Sequence, residues 1–444
     1  MGDRTGVWLV GARGSVATTA IAGAAALRQQ LLPPTGCVTE LPAFSSARLP
    51  GLGELVFGGH DIVDTPLARR AEQLAGGGVI PPWLAGLIRR DLEAVDAEIR
   101  PGVDPGMLRQ GPTLERLVGD LVGFRERHGL ARVVVIDVSS TEPPIDPAPW
   151  HAAPDTLDQA VRDGAGALPP SSLYALAAFI AGCPFVEFTP STGMRIAGLE
   201  QLATARGLPY AGCDGKTGET MLKSVLGPMF AARALRVRSW TGTNILGGGD
   251  GANLADAGAA RSKIASKQRA LADALGYPVD GAVHIDYVPD MGDWKTAWDH
   301  VSFEGFLGVR MTLQFIWQGC DSALAAPLVL DLARLVGRAN EAGAAGPLAE
   351  LAFFFKDPVG AAPPGMGAQF ELLADWVAGL GQGERATGTS GATAGMGSGA
   401  SGATAGMASG VASADGAAPP DEHDSTAALA EAIAVAGAAR DGER

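Results

Sequence analysis

Lysine is almost missing from this chain. Of 34 basic residues in 444, six are lysine: Lys216, Lys223, Lys263, Lys267, Lys295 and Lys356. All six fall between positions 216 and 356, and arginine carries the positive charge everywhere else. An ammonium is a compact point charge that loses its proton readily on burial, whereas a guanidinium stays charged in proteins. The retained lysines therefore mark a place where protons move on and off hydroxyl and carbonyl oxygens. The plainer alternative is biased codon usage, with exposed lysines solvating a surface.

Other shortages exclude whole classes. The four cysteines (Cys37, Cys183, Cys213, Cys320) show no paired spacing, which argues against a disulfide framework or a zinc site; no metal ligand set is expected. No apolar run reaches membrane-spanning length without a charge, and Arg13 with its flanking glycines interrupts the apolar N-terminal stretch that would imitate a secretion signal. Cytoplasmic residence is the expectation, with no membrane partner. A net charge of −14 leaves no basic stripe for nucleic acid. What remains, 47% hydrophobic and 18% charged residues over this length, describes a globular protein of two or three domains.

The N-terminal segment GVWLVGARGSVATTAIAGAAAL (6–27) reads as a short apolar strand, a tight turn from Gly11 to Gly14, and a helix of small residues from Ser15. Backbone N–H groups at such a helix start face a pyrophosphate, so Gly11, Arg13, Gly14, Ser15 and Val16 are candidate dinucleotide contacts. The pattern is G-x-x-G-S and not the full fingerprint, and a purely structural strand–helix turn remains the alternative. The acidic residue for the ribose hydroxyls is best assigned to Asp61, beside Ile62, after an apolar strand at Leu55–Phe57 and two glycines. An ordinary turn aspartate explains it equally well.

Residues 81–127 read as helical, and ARVVVIDVSSTEPP (131–144) as a buried strand ending in a polar turn. Ligands meet the carboxyl ends of strands in open parallel sheets, which puts Val138, Ser139 and Thr141 near a cofactor. The hydroxyls would otherwise cap the next turn. A further strand is expected around 184–188.

LPYAGCDGKTGETMLKSVL (208–226) gives a strand ending at Asp214, then a Gly-Lys-Thr-Gly turn into a helix. The P-loop pattern is absent, which excludes a nucleoside triphosphatase, yet Lys216, Thr217 and Gly218 at a helix start suit a phosphate. WTGTNILGGGDGANLADAGAARSKIASK (240–267) follows a strand with a glycine loop carrying Asp250 and a helix carrying Lys263 and Lys267. Four residues apart, those two ammonium groups share one helical face and suit an anion. Asp293 and Lys295 lie in a turn, LGVRMTLQFIWQ (307–318) alternates as a half-buried antiparallel strand, Asp321 opens an amphipathic helix, and LAFFFKDPVG (351–360) reads as an apolar strand ending in Lys356. From 381 onward the Gly/Ala/Ser/Thr-rich sequence reads as a flexible tail.

Taken in order, GCDGKTGETMLKSVL, LGGGDGANL with RSKIASK, HIDYVPDMGDWKTAWDHVSFEGF, QGCDSALAAPLVLDL and FFFKDP resemble the myo-inositol-1-phosphate synthases. The likeness runs from Gly6 to about Trp376. It implies an α/β fold: an NAD-binding Rossmann domain over 1–220, an inserted α+β catalytic and tetramerisation domain over 221–323, a return to the first domain over 324–380, and the tail over 381–444. It implies a homotetramer that converts glucose 6-phosphate to inositol phosphate. C5 is oxidised, C6 enolised, the ring closed by an intramolecular aldol step, and the ketone reduced, so NAD is regenerated at each turnover. The resemblance makes Lys263, Lys295 and Lys356 catalytic, with Asp214, Asp250 and Asp321 beside them. Lys267, Thr217, Gly218, Asn244 and Lys216 would hold the substrate, and Asp214 would also touch the cofactor. Departures include Gly11-Ala12-Arg13-Gly14 in place of an asparagine-rich glycine turn, and His60 where an aromatic residue is common. Two alternatives keep the lysines: a related synthase closing the ring of another sugar phosphate, and a sugar-phosphate dehydrogenase that releases NADH. A binding protein without activity would tolerate arginine at several of these positions.

Overall fold

The computed structural model describes residues 4–104, 106, 110–247, 271–272 and 275–381, all within one compact unit, Met1–Thr389. Asp250, Lys263, Lys267 and the expected tail lie outside the described residues.

Eleven strands form two sheets among the described residues: β1 (Thr5–Val10), β2 (Val56–Asp61), β3 (Ile99–Pro101), β4 (Arg132–Asp137), β5 (Phe185–Glu187), β6 (Pro209–Gly212), β7 (Arg236–Leu246), β8 (Val283–Tyr287), β9 (Trp294–Glu304), β10 (Arg310–Cys320) and β11 (Gly346–Pro347). The larger sheet has the order β11-β6-β5-β4-β1-β2-β3, and every pairing in it is parallel. From its far edge inward the order is 3-2-1-4-5-6, the doubly wound dinucleotide-binding arrangement. The chain reverses direction of growth between β1 and β4, and the crevice at that switch point is where such sheets bind ligands.

Side-chain alternation along β1 feeds two cores. Val7 and Leu9 pack with the Ala-rich helix Ser15–Arg28 and the long helix Asp321–Glu341 on one face. Trp8 and Val10 pack with helices Gly111–Arg127 and Pro170–Ile180 on the other. Burial on both faces explains why β1 and β4 read as uninterrupted apolar runs.

The smaller sheet, in the order β10-β9-β7-β8, is antiparallel except for β8, which runs parallel to β7. One face packs on helix Gly218–Ala232 around Phe230, Trp240 and Val301. A buried charge cluster lies under it: Lys223 contacts Glu219 and, at 3.5 Å, Asp299, which also accepts a 2.7 Å bond from Trp240 Nε1. Burial pushes Asp299 up to about 6, against the pull of Lys223.

Four expectations about elements change. Lys295 does not share a turn with Asp293 but is the second residue of β9, its backbone paired with Leu246 on one side and Gly319 on the other. The segment 81–127 is not helical throughout: edge strand β3 interrupts it, because Ile99–Pro101 pairs with Gly59–Asp61. Gly58 and Gly59 do not end a strand at Phe57 but lie inside β2. A Cβ on Gly59 would stand 2.6 Å from the Ala12 side chain, and one on Gly58 would stand 2.9 Å from the Trp8 ring. LAFFFKDPVG is a 3₁₀ turn, Ala349–Phe354, followed by a single bridge between Phe355 and Gly215. Its phenylalanines are buried in several directions, and an apolar run without alternation does not tell strand from turn.

No helix among the described residues is long and apolar enough to cross a membrane.

Candidate active site

The first βα turn is shaped by what it must avoid. Gly11 has φ +79°, and a Cβ there would stand 2.9 Å from Ser139 Cα, so only glycine lets the end of β1 approach the end of β4. Gly14 N–H donates to Gly11 O at 3.0 Å, closing the turn. The helix then starts with no side-chain cap and no acidic residue in its first turn. Its free N–H groups and positive dipole end form an anion site facing the crevice.

Gly14, Ser15 and Val16 line a cleft of about 270 Å³ that Val138, Ser139 and Thr141 bound from the end of β4. Asp137 is buried beneath them, pushed up to about 6 by burial while donation from Ser139 N–H (2.9 Å) opposes the shift. Asp61 does not reach the cleft wall. Its carboxylate accepts from the Arg13 N–H at 2.6 Å and the Val63 N–H at 2.8 Å, fixing the glycine turn to β2. Arg13 itself turns to Asp96 (3.0 Å) and the Val63 carbonyl (2.8 Å). Ile62 is exposed beside them.

The other wall carries two lysine–aspartate pairs. Asp214 follows β6 with φ +60°, its N–H donating to Thr189 O at 3.0 Å. Lys356 N–H donates to Asp214 O, and Lys216 N–H to Phe354 O, both at 2.7 Å, so the Asp-Gly-Lys turn is zipped to the Phe-Phe-Lys segment 140 positions on. This brings Lys356 Nζ to 2.7 Å from Asp214 Oδ1 in a pair exposed by 7% and 6%. The second pair forms where β9 and β10 meet the long helix. Lys295 sits opposite Gly319 in register, and Asp321 opens the helix directly after β10. Lys295 Nζ lies 2.5 Å from Asp321 Oδ1, which also accepts from Thr217 Oγ1 at 2.9 Å. Gly218, with φ +60°, lets the lysine stem lie over the helix start: a Cβ there would stand 2.9 Å from Lys295 Cε.

The cleft thus gathers Gly14, Ser15, Val16, Val138, Ser139, Thr141, Asp214, Thr217, Lys295, Asp321 and Lys356 from the residues singled out in the sequence. Gly11 and Arg13 stand behind its wall. Asn244 is buried on β7 opposite Ala297, two residues before the lining residue Leu246, and is not itself among the lining residues. Lys216 turns the other way, donating to Ala352 O (3.2 Å) and Gln369 Oε1 (2.5 Å). Arg70 and Thr189 are among the lining residues that the sequence did not single out. Arg70 donates to Ser15 Oγ at 2.7 Å, but it comes from an amphipathic helix whose polar face carries no signal of its role. Thr189 lies just past β5 and donates to the buried Glu187 at 2.6 Å; the strand-end rule applied at β4 would have found it.

The family model described as "Myo-inositol-1-phosphate synthase" matches residues 5–377. The chain belongs to that family. It is 31% identical to "Inositol-3-phosphate synthase 1" of Bacteroides thetaiotaomicron over 388 residues, covering 80% of this chain and 90% of that one. It is 32% identical to the Macaca fascicularis protein of the same name over 422 residues, covering 82% and 74%. In fold it resembles the Caenorhabditis elegans inositol-3-phosphate synthase, with TM-score 0.77, 24% identity and 86% of each chain covered. A related protein from Thermotoga maritima gives TM-score 0.69 at 24% identity, over 84% of this chain and 98% of that one. The family is an NAD-binding one, and the uncapped helix start in the crevice fits the pyrophosphate of that cofactor. The chain is therefore an enzyme of the isomerase class.

Proposed function

We propose that the synthase closes the inositol ring in the cleft between the first glycine turn and the two lysine–aspartate pairs, with Lys295 and Lys356 as its proton-handling groups. The observation that carries this is that Lys356–Asp214 and Lys295–Asp321 open onto the same cleft as the Gly14–Val16 helix start. The Gly14–Val16 helix start would hold NAD, which would supply the hydride acceptor for C5 and the hydride donor after ring closure. Removal of that hydride requires the C5 hydroxyl to lose its proton, and Lys356 is the group assigned to it, backed by Asp214 as the carboxylate that exchanges protons with its amine. Asp214 Oδ2 is buried without a hydrogen-bond partner among the described residues, leaving a lone pair for a substrate hydroxyl. The C5 ketone acidifies C6, and the same ammonium stabilises the enolate oxygen. Lys295 is assigned to the C1 carbonyl oxygen, where charge develops in the aldol step. Asp321 holds Lys295 and Thr217 together, so the cation and the hydroxyl approach the sugar phosphate as a unit. Lys263 and Asp250 keep the catalytic place, and Lys267 the substrate-binding place, that the sequence resemblance gives them.

On this reading the parallel sheet (1–220 and 324–380) binds cofactor, and the inserted part (221–323) supplies catalytic groups and subunit contacts. A homotetramer is supported by large apolar side chains exposed on and beside β9 and β10: Trp298, Phe306, Leu307, Val309, Met311 and Ile316. Cytoplasmic residence is supported by four free, buried thiols. The test is purified protein with NAD and glucose 6-phosphate, with products separated by chromatography. Inositol phosphate should form with no net NADH; steady NADH release without a cyclic product refutes ring closure.

A further inference from the structure

A second chamber lies behind the catalytic pair. It has a volume of about 590 Å³ and is lined by Lys216, Thr220, Lys223, Ser224, Lys356 and Gln369, with walls from 276–278 and 362–365. Three of the six lysines of the chain meet here, and no aspartate or glutamate is among its described lining residues. Two of those cations are matched from outside the chamber, Lys223 by Glu219 and Asp299 and Lys356 by Asp214. Lys216 is not. It is 7% exposed and donates only to the neutral oxygens of Ala352 and Gln369. A buried cation with neutral partners alone is costly, and here burial, followed by the charge of Lys356, pushes the ammonium down to about 8. A second, independent feature points the same way. Thr220, 2% exposed, lines the chamber, and its Oγ1 has no hydrogen-bond partner among the described residues. A buried hydroxyl without a partner carries the desolvation penalty of that group until something binds it.

We propose that this chamber is a second anion site, separate from the cleft, that takes a phosphate-type oxyanion between the Lys216 ammonium and the Thr220 hydroxyl. The anion supplies the missing countercharge to Lys216 and the missing acceptor to Thr220, while Ser224 and the Gly218–Ala232 helix wall fix its position. Two sources share that chemistry, free inorganic phosphate and the phosphoryl group of a sugar phosphate.

Calorimetric titration of the NAD-loaded full chain tests this without reference to turnover. Inorganic phosphate is titrated into the wild type, Thr220→Val and Thr220→Ser, each alone and with the cleft saturated by inositol phosphate. Phosphate should bind wild type and Thr220→Ser alike, and Thr220→Val about tenfold or more weaker, the loss of one bond to a charged group. Thr220→Val should keep or raise its urea midpoint, since a partnerless buried hydroxyl is replaced by a methyl of the same shape. If free phosphate is the occupant, one phosphate and one inositol phosphate bind together. If the phosphoryl group is, inositol phosphate alone binds at two per chain and Thr220→Val reduces this to one. Equal phosphate affinity in wild type and Thr220→Val overturns the proposal, as does complete displacement of phosphate by a single inositol phosphate, or no phosphate binding at all.

Discussion

Lys356 and Asp214 allow the sharpest test, because the pair affects stability and turnover in different ways. Both side chains are almost fully buried, with 2.7 Å between Nζ and Oδ1. Lys356→Met keeps the apolar stem but leaves the Asp214 carboxylate buried without its cation. Breaking a buried pair from one side costs about 3–5 kcal/mol, whereas replacing both members by neutral groups of similar shape is often close to neutral. Lys356→Met and Asp214→Asn should therefore each destabilise by about 3 kcal/mol, and the double variant by much less than the sum. Turnover behaves otherwise: if the pair moves the C5 proton, each single variant loses about 10²–10⁴-fold in kcat and the double variant recovers none of it. Urea denaturation of the four proteins in the cycle, together with inositol phosphate formation, measures both. Additive stability losses, or turnover that returns along with stability in the double variant, refute the assignment and make the pair purely structural.

Gly218→Ala should lower kcat about tenfold or more with NAD affinity unchanged, because the new Cβ would stand 2.9 Å from Lys295 Cε in a backbone already at φ +60°; turnover within twofold of wild type contradicts the role given to Lys295. Lys295→Arg keeps the charge but should lose most activity, and wild-type rates there would show that no proton transfer is needed at that position. Gly59→Ala pushes on Ala12 across a 2.6 Å gap and should destabilise by about 1–3 kcal/mol while weakening NAD binding, read by titration of cofactor fluorescence. Glu142 is pushed up to about 7 by burial, although Ser171 donates to it. A carboxyl raised in the folded state contributes stability that is present below its ordinary value and lost as pH rises through about 7. Glu142→Gln should therefore flatten the fall in stability across pH 4.5–7.

Much of the nucleotide half was legible because its signals are local. An apolar strand, a glycine turn and a helix of small residues adjoin in the sequence, and the structure sets them out as β1, Gly11–Gly14 and Ser15–Arg28. The lysine census carries part of the site for a different reason: a residue avoided elsewhere stands out wherever it is kept, and Lys295 and Lys356 line the cleft, whereas Lys216 and Lys223 do not and Lys263 and Lys267 lie outside the described residues. Long-range partners were less visible. That Lys216 leaves the cleft for Gln369, 153 positions away, depends on how the helix Met366–Gly381 packs, which no spacing within the Gly-Lys-Thr-Gly turn reveals. The glycines of β2 failed as strand breakers because neighbouring backbone and the Trp8 ring occupy the space of their side chains, a tertiary demand that outweighs local preference.

The zipper between Asp214–Lys216 and Phe354–Lys356 has a consequence for synthesis in the cell. A nascent polypeptide that has just left the ribosome through residue 220 already carries the glycine turn and six of the seven strands of the parallel sheet. It still lacks the amine that faces Asp214, which emerges some 140 residues later. The glycine turn thus emerges before chemical competence, and a truncated translation product lacks both the catalytic amine and the helix Asp321–Glu341 that covers one face of its sheet.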